Sequence, residues 1–317
     1  MLNIKDKKIL YELDVNGFQS NSEIGKKVRL SKQVTGYRIN KLEEDKIIRK
    51  IYSIYHLNKL GYTGFKVYFQ MQNLDNEKKL INYFNENKNI IWFGIYEGRF
   101  DFVISVFAKN KVEFDKILGK IISDLKENII DFEIASYSGI LALKKDYLVE
   151  KRTEDKFSYF EENDKICELD KIDKIILKKL AENSRETSVD LAKITNLSPD
   201  TIINRIKKLK KNKIILGSRV MLDKRKLGIV EFKILLKLKN YNEGIHRKFI
   251  EFSKLNKNIV AYIKCIGTWN VELDIEMLDI NEFHDLLNKI KTEFSDSIKS
   301  IETLMLYDEF KYNFYPF

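Results

Sequence analysis

Within ten residues the chain sets Lys32, Gln33, Thr35, Tyr37, Arg38 and Lys41 on a stretch with helical apolar spacing, and Thr201, Asn204, Arg205 and Lys208 recur on a matching stretch 167 positions further on. Lys and Arg donate to phosphate oxygens, and Arg, Gln, Asn and Thr bond base edges in a groove. That is the chemistry of nucleic-acid recognition. Other chemistry is not gathered anywhere. His56, His246 and His284 lie in separate segments without metal-ligand or triad spacing. Cys167 and Cys265 stand 98 positions apart with no CxxC motif. No phosphate loop and no catalytic carboxylate pair can be picked out. The reading is no catalytic residue, no metal and no cofactor, with both thiols reduced and the histidines at ordinary surface or boundary positions.

The elements that must position the basic residues are read from periodicity and caps. Ile172, Ile176 and Leu180 form one apolar stripe of a first helix, as do Ile9, Leu10 and Leu13 in the first copy. A second helix opens at the capping box Ser20–Glu23, with Thr187–Asp190 as its weaker counterpart. The third opens at Ser198 with Pro199 at the first helical position, and at Ser31 in the first copy. Val34, Ile39 and Leu42, and Ile203, Ile206 and Leu209, are expected to point inward. The polar residues named above are then left outward, with Asp200 in a capping role. After each third helix, 47–55 and 214–222 alternate as a wing, where Lys46, Arg49, Lys50, Lys213 and Arg219 are expected to touch nucleic-acid backbone.

An internal duplication organises all of this. At an offset of 167, Asp6 falls on Asp173, Ser31 on Ser198, Arg38 on Arg205 and Leu60-Gly61 on Leu227-Gly228; at 169, Gly98 falls on Gly267 and Phe114 on Phe283. A period this long is a doubled whole protein, not a solenoid. The expected domains are 1–60 and 169–228 (winged helix-turn-helix), 61–143 and 229–317 (ferredoxin-like), and a charged linker, 144–168, with Tyr147, Phe157, Tyr159 and Phe160 available for local packing. The net charge of +10 resolves into +6 for 1–60 and +9 for 169–228, against −1, −2 and −2 for 61–143, 144–168 and 229–317. A merely solvated lysine-rich surface would spread its charge more evenly, so the two heads are expected to meet a polyanion. In 61–143 and 229–317, strands and amphipathic helices follow in the order βαββαβ, a split motif whose open sheet face needs a partner sheet or subunit. The fold class is α+β, with the two kinds of domain in tandem.

With these residues in place the chain resembles the Lrp/AsnC (feast/famine) family. The likeness is carried by LDKIDKIILKKL (169–180), LSPDTIINRIKKLKKNKII (197–215), Leu227-Gly228 and GRFDFVISV (98–106). The resemblance implies winged helix-turn-helix domains joined to αβ-sandwich domains that pair through their sheets and often bind an amino-acid-like effector near a glycine turn. That turn maps onto Gly98, Arg99 and Asp101, and onto Gly267, Thr268 and Asn270. The plain alternative is a tight hairpin without ligand. Asn270 departs from the acidic residue that Asp101 keeps, and Arg29 and Asn196 stand where the turn between the second and third helices usually has glycine.

The function expected is a sequence-specific, double-stranded-DNA-binding transcriptional regulator, cytoplasmic, without membrane contact, and self-associated as a pseudo-dimer within one chain or as a larger assembly. It is not expected to be an enzyme. Two alternatives stay open: a siroheme decarboxylase-like enzyme on the same scaffold, and a non-specific chromatin architectural protein.

Overall fold

The computed structural model describes residues 2–150, 158–161, 165–239 and 241–316. In the first half, helices α1 (Ile4–Val15), α2 (Asn21–Val28) and α3 (Lys32–Glu44) precede strand β1 (Ile48–Tyr55); β2 (Thr63–Met71), α4 (Glu77–Glu86), β3 (Ile90–Glu97), β4 (Phe102–Ala108), α5 (Lys111–Asp124) and β5 (Ile129–Ala142) complete the unit, and β6 (Ser158–Glu161) follows. The second half repeats the order: α6 (Lys171–Glu182), α7 (Ser188–Thr195), α8 (Pro199–Lys211), β7 (Ile215–Leu222), the short α9 (Lys224–Leu227), β8 (Val230–Leu238), α10 (Glu243–Leu255), β9 (Ile259–Gly267), β10 (Val271–Met277), α11 (Asn281–Glu293) and β11 (Ile298–Tyr312). The α+β class and both pairs of modules are as the sequence implies. No helix among the described residues is long and apolar enough to cross a membrane.

Local chemistry starts each head helix. Ser20 accepts from the Glu23 amide while the Glu23 carboxylate accepts from the Ser20 amide at 2.7 Å, the reciprocal pair of a capping box. Ser31 and Ser198 accept from the amides of Val34 and Thr201, each at 3.2 Å, and Pro199 occupies the first turn of α8. The turns into α3 and α8 are left-handed at Arg29 (φ 58°) and Asn196 (φ 54°), a conformation Asn tolerates and Arg adopts at a cost.

The wings do not stand free. β1 and β7 pair with each other, Ile51 with Val220 and Ser53 with Ser218, so each pair is the duplicate of the other about an axis at Tyr52 and Arg219. The sheets obey the same pseudo-twofold. β5 runs its first half along β2 and its second half along β9, while β11 runs first along β8 and then along β3. With the pairings β2–β4–β3 and β8–β10–β9, eight antiparallel strands close into a ring, and β6 adds outside β5. The open sheet face that the sequence left to a partner is thus covered by the other half of the same chain.

Strand alternation sorts the core. Phe65, Val67 and Phe69 of β2, and Phe232, Ile234 and Leu236 of β8, pack under the helices, leaving Lys66, Tyr68, Lys233 and Leu235 for the inside of the ring. The segment expected to begin the linker is part of this interior: Lys144, Lys145, Asp146, Tyr147 and Leu148 are all buried. Phe157 lies outside the described residues, as do the side chains of Tyr159 and Phe160.

Ring closure brings β5 hard against the turn after β9. Gly267 pairs with Ala135 at φ 157°, and a Cβ there would be driven into the Ile134 carbonyl oxygen. At the duplicate Gly98 (φ 133°) the nearest atom is the movable Leu304 side chain, at 3.0 Å. Gly267→Ala is therefore expected to lower unfolding free energy by about 3 kcal/mol, and Gly98→Ala by about half of that, measured by urea denaturation.

Candidate nucleic-acid interface and central cavity

α3 and α8 lie against their heads with one face free. Lys32, Gln33, Tyr37 and Lys41 of α3 are exposed, Tyr37 by 67%, as are Asn204 and Lys208 of α8. Lys207 and Lys211, which the sequence reading passed over, extend the same surface. Ile39, Leu42, Ile206 and Leu209 face inward as expected, but the first inward residue differs in each copy. Thr35 is fully buried, its Oγ1 donating to the Ser31 carbonyl at 2.8 Å, and Val34 is 41% exposed instead. Ile202 is buried and Ile203 is 37% exposed. Thr201 is half-buried, its hydroxyl 2.8 Å from that of Ser198.

The two arginines are committed within their heads. Arg38 binds Asp6 at 2.8 Å; Arg205 binds Asp170 at 2.6 Å and Asp173 at 2.9 Å. Each ties the third helix to the start of the first. Of the wing residues, Arg49 meets Asp223 at 3.2 Å, Lys50 donates to the Tyr312 carbonyl at 2.8 Å and Arg219 meets Asp14 at 2.9 Å. All three, expected to touch nucleic-acid backbone, are instead engaged by groups of the protein itself. Lys46 and Lys213 sit exposed in left-handed turns.

Between the wing ribbon and the ring lies a cavity of about 210 Å³, walled by β1, β7 and both sheet halves. Its polar wall was missed at the sequence level. On β10, Val271, Leu273, Ile275 and Met277 face the helices, while Glu272, Asp274 and Glu276 alternate inward. Glu272 meets Lys66 of the first half at 2.5 Å and Lys233 at 3.7 Å, and accepts from the Trp269 indole at 3.0 Å. Lys145 binds Glu276 at 2.5 Å, and the Tyr147 hydroxyl donates to the same carboxylate at 2.5 Å. Lys233 pairs with Asp274. Burial pushes the Glu272 carboxyl up, but Lys66 and Lys233, with hydrogen bonds from Lys66 and Trp269, outweigh it and hold it at about 2. The VELDIEM alternation, with acids where a buried face was due, was the available signal.

Comparison with known proteins places these features. The AsnC-type helix-turn-helix domain matches residues 169–210, and a winged helix-turn-helix DNA-binding domain matches 2–49. The regulatory protein AsnC of Haemophilus influenzae is 31% identical over 140 residues, 43% of this chain and 90% of that protein. AsnC of Escherichia coli is 32% identical over 143 residues, 44% of this chain and 90% of that protein. The chain belongs to the AsnC/Lrp family. It carries the family's unit twice. Over its whole length it is similar in fold to the siroheme decarboxylase NirDL, with a TM-score of 0.64 and 15% identity, covering 98% of this chain and 93% of that one. This overturns the expectation that the chain is not an enzyme as a reading from the family alone: the protein that shares the fold over both halves is an enzyme, while the half-length AsnC relatives bear the names of regulators.

The glycine turns that the AsnC/Lrp resemblance assigns to an effector do not line the cavity. Asp101 accepts from the Met71 amide at 2.7 Å, and Asn270, despite its changed charge, accepts from the Leu238 amide at 2.9 Å. Arg99 spans Glu133 at 3.2 Å and Glu302 at 3.4 Å, and Thr268 bonds Glu133. Gly98 and Gly267 supply the turns. Nor does the cavity gather the histidines: His246 Nδ1 is 2.6 Å from the Tyr262 hydroxyl, His284 is 2.9 Å from Asn288, and His56 is buried outside the cavity wall.

Glu272 titrates lower folded than unfolded, so its contribution is complete above the ordinary carboxyl range near pH 4.5 and is lost as pH falls toward about 2. Acid unfolding followed by circular dichroism should show that loss. Glu272→Gln should remove that part of the pH dependence and, by leaving Lys66 and Lys233 short of a counter-charge, cost about 3–5 kcal/mol at pH 7.

Proposed function

We propose that the chain is a transcriptional regulator that binds double-stranded DNA through α3 and α8. One observation carries this reading: two capped helices present open faces bearing Lys32, Gln33 and Lys41, and Asn204, Lys207 and Lys208, from heads joined by one antiparallel ribbon. A recognition helix of this kind fits a major groove about 12 Å wide. The two helices differ in sequence, so the site they read is asymmetric, with half-sites about 34 Å or a multiple apart. Arg38 and Arg205 act as positioning residues for the helices, and the lysines supply the phosphate contacts.

If about six phosphates are neutralised, log K for duplex falls with log[salt] at a slope of about −5. Genomic fragments selected with the purified chain and titrated by fluorescence anisotropy test this. Lys41→Glu and Lys208→Glu should each flatten the slope by about 1 or more. A slope near zero sinks the proposal, and equal affinity for selected and random fragments favours the architectural alternative.

Val34 and Ile203 put apolar surface on the same two faces, suited to a thymine methyl. Replacing thymine by uracil at the contacted positions should weaken selected duplexes roughly fourfold per methyl, from about 0.8 kcal/mol each. Val34→Ala and Ile203→Ala should each erase part of that difference.

A second reading, an enzyme acting on a tetrapyrrole, is favoured by the whole-chain likeness to NirDL. At about 210 Å³ the cavity is below the roughly 300–1,000 Å³ that takes drug-sized ligands, so a macrocycle would have to lift the wing ribbon. Titration with iron-uroporphyrin III, read by its visible absorbance, decides: an unshifted spectrum eliminates this reading.

A further inference from the structure

The charges of the cavity wall are already met. Among the described residues the wall holds five cations and four carboxylates. Lys66 and Arg219 pair with Glu272 and Asp14, which lie just outside it, at 2.5 and 2.9 Å. Within the wall, Lys145 meets Glu276 at 2.5 Å, Lys233 meets Asp274, and Lys224 holds both Glu231 and Glu309. An ion entering this space would have to take a partner from an existing pair or leave its own charge unmet at low dielectric, and both are costly. The wall therefore favours an uncharged occupant.

An independent feature calls for an occupant and marks where it is held. Alternation along β3 turns Trp92 and Tyr96 into the ring while Phe93 and Ile95 pack under the helices. Other polar rings of the wall are satisfied: Trp92 Nε1 donates to Glu309 at 3.3 Å, Tyr55 donates to the Leu177 carbonyl at 2.6 Å, and the Tyr137 hydroxyl is 2.8 Å from that of Ser105. The Tyr96 hydroxyl, on a residue 2% exposed that lines the cavity, has no hydrogen-bond partner among the described residues. Buried hydroxyls are nearly always bonded, so this one calls for a polar atom brought by something bound beside it. Aromatic side chains surround the space, Tyr52, Phe107, Tyr312 and Phe314 joining Trp92 and Tyr137, and flat rings pack edge to face or offset on such walls. An apolar cavity of about 150 Å³ takes one benzene ring. At about 210 Å³ this one takes a substituted ring or two small fused rings.

We infer that the central cavity binds an uncharged, hydroxylated aromatic of one or two rings, its oxygen accepting from Tyr96 and its body lying against the aromatic wall. The inference goes beyond the DNA-binding reading and does not rest on it; unlike a macrocycle, such a ligand fits without lifting the ribbon. Burial raises the Tyr96 hydroxyl well above its ordinary range, Lys233 opposes the rise, and Glu231, Asp274 and Glu309 add to it. Tyr96 thus stays a neutral donor, and carboxylates stand near it to accept the proton of a bound hydroxyl.

The test is isothermal titration of the full chain, without DNA, at pH 7 with phenol and 5-indanol. Toluene and indane are their counterparts without the hydroxyl, and benzoate and benzylammonium are the charged controls. At least one hydroxylated probe is expected to bind one to one, about tenfold more tightly than its hydroxyl-free counterpart, as one hydrogen bond contributes, and more tightly than either ion. Tyr96→Phe should remove that tenfold preference while leaving the affinity of the hydroxyl-free compound within about twofold. Failure of both hydroxylated probes to bind, equal affinity with and without the hydroxyl, an ion binding as tightly, or a preference that survives Tyr96→Phe overturns the inference. If the variant fails to fold, the preference measured on the unaltered chain still decides it. Duplex affinity and the iron-uroporphyrin titration, measured separately, keep this outcome distinct from the fate of either functional reading.

Discussion

The constraint on which the architecture depends is the sharing of β5 and β11 between halves. A four-stranded ferredoxin-like sheet has exposed edges and one uncovered face, and both are liabilities. Here the last strand of each unit is lengthened to 14 or 15 residues, pairing first with its own sheet and then with the other. Each half closes the other's edge. The same axis then forces β1 onto β7, because the strands that leave the heads arrive antiparallel at the pseudo-twofold. A symmetric contact that would otherwise join two subunits has become internal to one chain.

Internalising the axis changes what the interior can hold. In a homodimer every substitution appears on both sides of the axis, so an inward acid faces a copy of its own environment. In the duplicated chain the halves have diverged: Val103, Ser105 and Phe107 of β4 stand opposite in kind to their counterparts Glu272, Asp274 and Glu276 of β10. Lys66 of the first half meets Glu272 of the second, and Lys145 meets Glu276. Such buried pairs add little net stability over apolar packing, but removing one partner is costly. Both pairs cross between the two unlike halves, so loss of either partner strands a charge inside the shared interior.

What could be read from the sequence was local or periodic. The capping box at Ser20, the Ser198-Pro199 start, the βαββαβ order and the duplication each depend on residues a few positions apart or on a constant offset. What escaped depends on distant partners. A helix advances about 100° per residue, so Val34 and Thr35, or Ile202 and Ile203, differ by a phase that apolarity alone does not fix; Thr35 is buried because its hydroxyl can bond back to Ser31. Lys144 to Leu148 read as a charged linker because the carboxylate that meets Lys145 lies 131 residues away. Arg38 and Arg205 were legible in a way not used: Asp6 and Asp173 precede them by the same 32 residues in both copies, a spacing that suits a conserved internal ion pair as well as a groove contact.

Aromatic packing, ion pairs and hydrogen bonds join the heads to the ring. Tyr52, at the pseudo-twofold, packs on Tyr312 and Phe314 with ring centroids 4.9 and 5.5 Å apart, and Arg49, Lys50, Arg219 and Lys224 carry bonds from the ribbon and the residues just after it to the ring. Because the partners of Arg49 and Lys50 lie on β11 whereas Arg219 reaches Leu143 just beyond β5, the two wings are anchored on different strands of the ring. The two heads are thus seated through one paired ribbon on strands that belong to opposite halves of the ring.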